Sequence, residues 1–304
     1  MAALQDRRRI LGPIDAVSVT YETTSDLLGN LREDARTRNP EHIQRIFLQP
    51  NLVVNASGSC YYEVGGIRLQ CSVHGPRPIR GSFTDRAAFN VEVKLAPFIV
   101  DPANAELLQK GQGQGPTSAR PNGTSVLERE MAAFIQNSLG PAILLEAYPK
   151  STIDLFVNVI ECGLNSKALY AAGVNAASTA LVDADIALRD IVTAGAAVIP
   201  LGSTSEPYAD PEYRAQHGDL SAVVSYMTAS NKEVVSMAID GGALTESQMN
   251  ACLRTTLDMA ESARALINRV LIMEFRGKEQ ALQKVAKEQA AVAANEEDSM
   301  EVDA

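Results

Sequence analysis

Two short stretches of the chain carry cations on stiffened backbone. In Gly75–Phe83, Arg77 and Arg80 are interleaved with Pro76, Pro78 and Gly81; in Tyr148–Ser151, Lys150 follows Pro149 just ahead of an alternating apolar run. A guanidinium or ammonium held on a preorganised loop loses little entropy on meeting a phosphate, so both stretches suit contact with a phosphate chain. The same side chains equally suit pairing with acidic groups of a neighbouring chain, or simply facing water.

Other chemistry finds little support. The sequence has no G-x-x-x-x-G-K-[ST] loop, no H-E-x-x-H and no G-x-S-x-G elbow. Its three histidines are His42, His74 and His217. His217 stands near Asp219, but adjacency in sequence does not supply the convergent geometry of a Ser-His-Asp triad, and a polar loop entering a strand is the simpler reading. Gly111-x-Gly113-x-Gly115 follows no strand pattern, so dinucleotide binding is not expected. Cys60, Cys71, Cys162 and Cys252 are scattered and read as free, buried thiols in a reducing compartment. Neither a metal nor a cofactor is expected.

The elements that would position the cations follow from periodicity. Ser59–Val64 and Ile67–His74 flank Gly65-Gly66, the dipeptide of a tight hairpin, and Phe89, Val91, Val93 and Leu95 alternate with polar residues. Gly75–Phe83 is expected to be a loop between strands. Ser125-x-x-Glu128 has capping-box spacing, with Leu127, Met131, Phe134, Ile135 and Leu139 on one helical face and Gly140-Pro141 ending it. A strand follows through Ile153, Leu155, Val157 and Val159. Ala168–Leu188 is alanine-rich, as expected of a helix pressed closely against a sheet. Ile191–Pro200, Ala222–Met227 and Val234–Ile239 read as strands. Thr245-x-x-Gln248 then caps a long helix with the stripe Met249, Leu253, Leu257, Ala260, Ile267 and Leu271. Strands in blocks broken by long helices predict an α+β layered fold with two βα halves sharing a core. Residues 1–45 read as an N-terminal extension, 46–275 as the domain, and 276–304 as a helical then fraying acidic tail.

Length and charge fit this picture. The 304 residues are 46% hydrophobic and 21% charged, which excludes wholesale disorder. Lys and Arg number 27 against 37 Asp and Glu, a net charge of −10, which disfavours an autonomous nucleic-acid binder. Five of the excess acids (Glu296, Glu297, Asp298, Glu301, Asp303) lie in the last ten residues, so a local basic patch on the body remains compatible with the total. No apolar run approaches the roughly 18 residues that cross a bilayer, and Met1–Arg9 lacks a signal-peptide core. A cytosolic or nuclear protein without membrane contact is expected.

Asp6-Arg7-Arg8-Arg9-Ile10-Leu11-Gly12-Pro13, Gly58-Ser59 with Tyr61-Tyr62-Glu63-Val64, Gly75–Phe83, Tyr148–Asp154, Asn175–Asp185 and Leu244-Thr245-Glu246 together resemble the RNase PH family. More narrowly, they resemble the RNase PH-like ring subunits of the eukaryotic RNA exosome, in the branch named for mRNA transport. The resemblance implies the RNase PH-like fold (ribosomal protein S5 domain 2-like) and a place in a hexameric ring of RNase PH-like subunits. It also implies OB-fold RNA-binding caps, RNA threading the channel, and a nuclear and nucleolar as well as cytoplasmic location. Active relatives need a phosphate segment before the alanine-rich helix, arginines for the RNA backbone and an acidic general acid. Counting back from Ala180–Ala184 puts Ala168, Leu169 and Tyr170 at the phosphate segment, and the arginine-bearing helix falls at Asn137-Ser138-Leu139-Gly140. Asp219 matches one acid, whereas its partner falls near Glu212 or Tyr213. The resemblance therefore implies a degenerate site and a subunit that does no chemistry, with Arg77, Arg80 and Lys150 as RNA-binding or ring-interface residues. The alternative is an active phosphorolytic 3′-to-5′ exoribonuclease with a rearranged site.

Overall fold

A computed structural model describes residues 42–81, 83–96, 99, 126–163, 165–200, 207–211, 219–242 and 245–302, with continuous side-chain description to residue 280. The proposed extension 1–45 therefore lies almost wholly outside the described residues, and the expected cap Ser125 lies outside them too.

Five strands form the first sheet: β1 (Ile46–Pro50), β2 (Gly58–Val64), β3 (Ile67–Pro78), β4 (Ala88–Leu95) and β5 (Ser151–Cys162), in the order β1-β2-β3-β5-β4. The β2–β3 hairpin turns at Gly65-Gly66 with Val64 opposite Ile67, and Gly65 takes φ +53°, the left-handed conformation a tight turn demands. Alternation does what the sequence predicts: Ile67, Leu69, Cys71 and Val73 are buried, and Ile153, Leu155, Val157 and Val159 join them from β5. The opposite face is wetter, and there His74 meets Phe156 edge-on. β4 lies parallel to β5, so α1 (Val126–Leu139) must cross between them; it buries the predicted face and also Ser138.

The second sheet holds β6 (Val192–Ile199), β7 (Tyr208–Ala209), β8 (Leu220–Met227) and β9 (Glu233–Asp240), ordered β7-β6-β8-β9 and antiparallel throughout. The two-residue β7 is too short to leave a periodic trace in the sequence. Between the sheets runs α2 (Ser166–Asp183), in which every residue from Lys167 to Leu181 is buried. The alanines permit this. A Cβ added to Gly58 of β2 would sit 2.3 Å from the Ala184 backbone nitrogen, so strand and helix touch main chain to main chain. The Asn175 amide completes the contact on the other side, donating to the Ala194 carbonyl and accepting from its amide.

The outermost helix, α3 (Glu246–Val302), opens with the expected capping box: the Thr245 amide donates to Gln248 Oε1, and the Gln248 amide donates to Thr245 Oγ1. Its buried face shares Ala260 and Ile267 with the predicted stripe but is otherwise displaced from it. Cys252, Thr256, Met259, Ala260, Ala263 and Ile267 are buried, while Met249, Leu253 and Leu257 are half-buried flanks. The cause is close packing on β6: a Cβ on Gly195 would lie 2.2 Å from the Thr256 carbonyl oxygen, and only small side chains allow that approach. α3 is tied down by Arg264, which donates to Asp190, the Ile191 carbonyl and Thr228 Oγ1. Helix, not frayed chain, continues through the acidic residues to Val302.

Candidate functional site

The two cationic stretches, far apart in sequence, meet in space. β3 does not end at His74 as expected. After a register shift it pairs onward, with Arg77 opposite Thr152 and Pro78 opposite Ser151, and the Ile79 amide then donates to the Lys150 carbonyl at 3.0 Å. The first half of the predicted loop is thus strand, because β5 offers it main-chain partners. Gly75 is required there: at φ +132° its Cβ position lies 2.6 Å from the Thr152 carbonyl oxygen. Arg77, Arg80 and Lys150 are all exposed at this end of the first sheet. Arg77 Nη2 lies 3.1 Å from His74 Nδ1, and the Lys150 backbone, at φ +54°, donates its amide to the Thr84 carbonyl. Nearby, Arg86 pairs with Glu146 across 3.5 Å.

The other expected site lies at the opposite end. β5 has 12 residues, so the cations and the start of α2 are separated by about 36 Å of strand. Ala168, Leu169 and Tyr170 are buried inside the first turns of α2, with Tyr170 stacked against Phe134 at 5.7 Å. Side chains in that position pack; they do not face a ligand. The mouth of the helix is formed instead by Asn165, Ser166 and Lys167, because α2 begins at Ser166. Ala168, Leu169 and Tyr170 thus lie just inside that mouth, within the first turn or so of the helix.

That mouth is closed by its own residues. Asn165 Oδ1 accepts from the Lys167 and Ala168 amides at 2.9 and 3.2 Å, satisfying two of the donors that a helix start offers to an anion. The Lys167 ammonium, its side chain only 6% exposed, meets Asp240 Oδ2 at 2.6 Å and lies 5.0 Å above the Tyr170 ring. Asp240 ends β9, and the following Gly241 packs against the Asp219 carbonyl, so Asp219 stands at the same corner, just before β8. Asp219 is itself nearly buried. Glu212, Tyr213 and His217 lie outside the described residues.

At the end of α1, where cations were expected to be missing, Ser138 is buried, donating to the Phe134 carbonyl and bonding to Ser225 Oγ. All four cysteines are free and buried. Burial pushes the Cys60 and Cys71 thiols far up, the former with help from Asp183, and raises Cys252 to about 11, so these three supply no thiolate at neutral pH. Among the described residues, no His, Cys, Asp or Glu cluster is placed to hold a metal, and no helix is long and apolar enough to cross a membrane. Sequence reasoning missed Lys167, Asp240 and the buried Asp183, which accepts from the Ser59 amide and Lys278. Asn165 was detectable as a side chain suited to a helix N-cap; the Lys167–Asp240 pair, 73 positions apart, was not.

Comparison with known proteins agrees with this architecture. The profile of the 3′ exoribonuclease family, domain 1 (RNase PH), matches residues 42–187. The exosome complex component mtr3 of Schizosaccharomyces pombe is 30% identical over 275 residues, covering 89% of this chain and 97% of that protein. The exosome complex component Rrp41 of Methanopyrus kandleri is 34% identical over 163 residues, 53% of this chain and 60% of that protein. Among solved structures, rice (Oryza sativa) Rrp46 superimposes with a TM-score of 0.61 at 18% identity, covering 76% of this chain and 96% of that one. A chain of the archaeal exosome core gives a TM-score of 0.56 at 16% identity, covering 80% and 95%.

Proposed function

The chain belongs to the RNase PH (3′ exoribonuclease) family, and from that membership we propose that it is a non-catalytic subunit of the RNA exosome ring. It supports 3′-to-5′ RNA processing and degradation by shaping the channel, pairing with other RNase PH-like subunits and carrying OB-fold caps, in nucleus, nucleolus and cytoplasm. One observation carries the silent half of this reading. The start of α2 is capped by Asn165, and its cation Lys167 is engaged by Asp240. Phosphorolysis needs a phosphate held in line with the terminal linkage, and a mouth whose donors are already engaged offers it no clamp.

Arg77, Arg80 and Lys150 form the face that touches RNA or a neighbouring ring subunit. Their distance from α2 suits a path or interface role rather than a part in bond cleavage. Asp219, at the start of β8, is what favours the second reading, an active phosphorolytic exoribonuclease. The two are separated by incubating the pure chain, and the chain reconstituted with other RNase PH-like subunits, with RNA and inorganic phosphate. The expected result is no release of nucleoside diphosphates attributable to this chain. Release that is abolished by Asp219→Ala establishes the second reading.

A further inference from the structure

Arg77 takes a histidine as its partner, not an acid. Its Nη2 lies 3.1 Å from His74 Nδ1, and among the described residues no carboxylate pairs with it. A guanidinium is always protonated and carries only donors, so the imidazole nitrogen it meets must be bare. His74 is therefore neutral in this arrangement, with its proton on Nε2. The ring is also held from its sides: it is half-buried, Phe156 of β5 stands edge-on to it at 5.5 Å, and the next residue, Gly75, donates its amide to Ser57 Oγ.

One acid faces this ring. Asp154 of β5 lies opposite His74 in register, so both side chains leave the same face of the sheet on adjoining strands. Its Oδ1 accepts from Thr152 Oγ1 at 3.0 Å and from Asn90 Nδ2 of β4 at 2.9 Å, which fixes the carboxylate without neutralising it. The next charge along that face is Glu92 of β4, opposite Phe156 and already paired with Lys94. The β1–β2 connection, Asn51–Ser57, brings none.

We propose that His74 is a proton-operated catch on Arg77. With the ring neutral, Nδ1 holds the guanidinium. A proton on Nδ1 turns that acceptor into a donor and adds a positive charge, so Arg77 is expelled and the ring's charge is met by Asp154 across the strand pair. Two cations then stand where there was one, and Arg77 is free to take an outside partner. The catch works in the same way whether that partner is RNA or a neighbouring subunit.

The test is NMR of the full chain with 15N-labelled histidine and arginine, followed from about pH 8 to about pH 5.5, where imidazoles titrate. His74→Gln removes one of three histidine ring signals and so assigns it. At the upper end, the ring should show a bare Nδ1 and a protonated Nε2. As pH falls, the Arg77 side-chain signal should move to the position of a free guanidinium with the same midpoint as the His74 ring. In His74→Gln, whose amide oxygen accepts but takes no proton, the Arg77 signal should stay still over this range. In Asp154→Asn the release should move to lower pH, by about half a pH unit, since the charge that receives the ring is gone. A proton on Nδ1 at the upper end overturns the proposal, as does an Arg77 signal that ignores the His74 transition. An equal shift in His74→Gln or an unchanged midpoint in Asp154→Asn overturns it too. The tautomer and the shared midpoint are read in wild type, so they decide the matter even if a variant fails to fold.

Discussion

Replacing Asp190 by alanine removes one acceptor from four donors. Its carboxylate, 4% exposed, takes hydrogen bonds from the Ile191, Ala229 and Ser230 amides and from Arg264, whose side chain is 18% exposed. Breaking a buried ion pair from one side costs about 3–5 kcal/mol, because the remaining charge stays buried without compensation. Arg264 would keep the Ile191 carbonyl and Thr228 Oγ1, which places Asp190→Ala near the lower end, about 3 kcal/mol. Arg264→Ala leaves Asp190 with its amide donors and should cost less, about 2 kcal/mol, in the range of a charged hydrogen bond. The double variant should cost less than the sum by about 1 kcal/mol or more, since the two share one interaction. Urea unfolding of the full chain at neutral pH reads all three.

The pH dependence has a definite sign. Burial pushes the Asp190 carboxyl up, but hydrogen bonds from Arg264 and from the Ala229 and Ile191 amides outweigh it and hold the group below its ordinary 3.8. A depressed folded value means that the contribution is complete above the unfolded value and disappears as pH falls through the folded one. The gap between wild type and Asp190→Ala should therefore hold from pH 7 to about 5 and close below about pH 4. A cost for Asp190→Ala below about 1 kcal/mol, or a larger cost for Arg264→Ala, refutes the reasoning.

Other perturbations test other layers. Gly195→Ala drives a methyl group to 2.2 Å from the Thr256 carbonyl oxygen, so α3 must shift as a body; a loss of about 3 kcal/mol or more in urea midpoint analysis is expected. Ser178 Oγ and Thr193 Oγ1 are buried with no hydrogen-bond partner among the described residues; Ser178→Ala and Thr193→Val should stabilise by about 0.5–1 kcal/mol, read as a raised melting temperature. Removing the charges of Arg77, Arg80 and Lys150 together should weaken RNA binding by the reconstituted ring and flatten its log-log salt dependence by about 2. An unchanged salt slope would leave those cations with a partner-contact role.

Much of the layered fold was readable because periodicity and small residues report directly on burial. The Gly65-Gly66 hairpin, the alternation on β3 and β5, and the face of α1 each follow from which side of an element must be dry. α3 shows the limit of that logic. The predicted stripe includes Ala260 and Ile267, which are buried, but also takes the flanks Leu253 and Leu257 and omits Thr256 and Ala263, which the close approach to Gly195 favours. The site was less legible still. Arg77 and Lys150 become neighbours only through strand pairing across 73 intervening steps, and the charges at the mouth of α2 come from a helix start and the end of a distant strand. Counting along the chain finds residue types but not where a helix begins: α2 starts at Ser166, so Ala168, Leu169 and Tyr170 are packed inside it.

The complete enclosure of α2 has a further outcome for how the molecule comes apart. With both flanks covered, one by each sheet, the helix has no surface on which it could rest in water while half the protein is missing. The two βα halves are therefore bound to a common fate: cutting the chain between α2 and β6 should yield two insoluble fragments rather than two small proteins. Amide exchange along α2 should proceed only through global unfolding, at the slowest rate in the body.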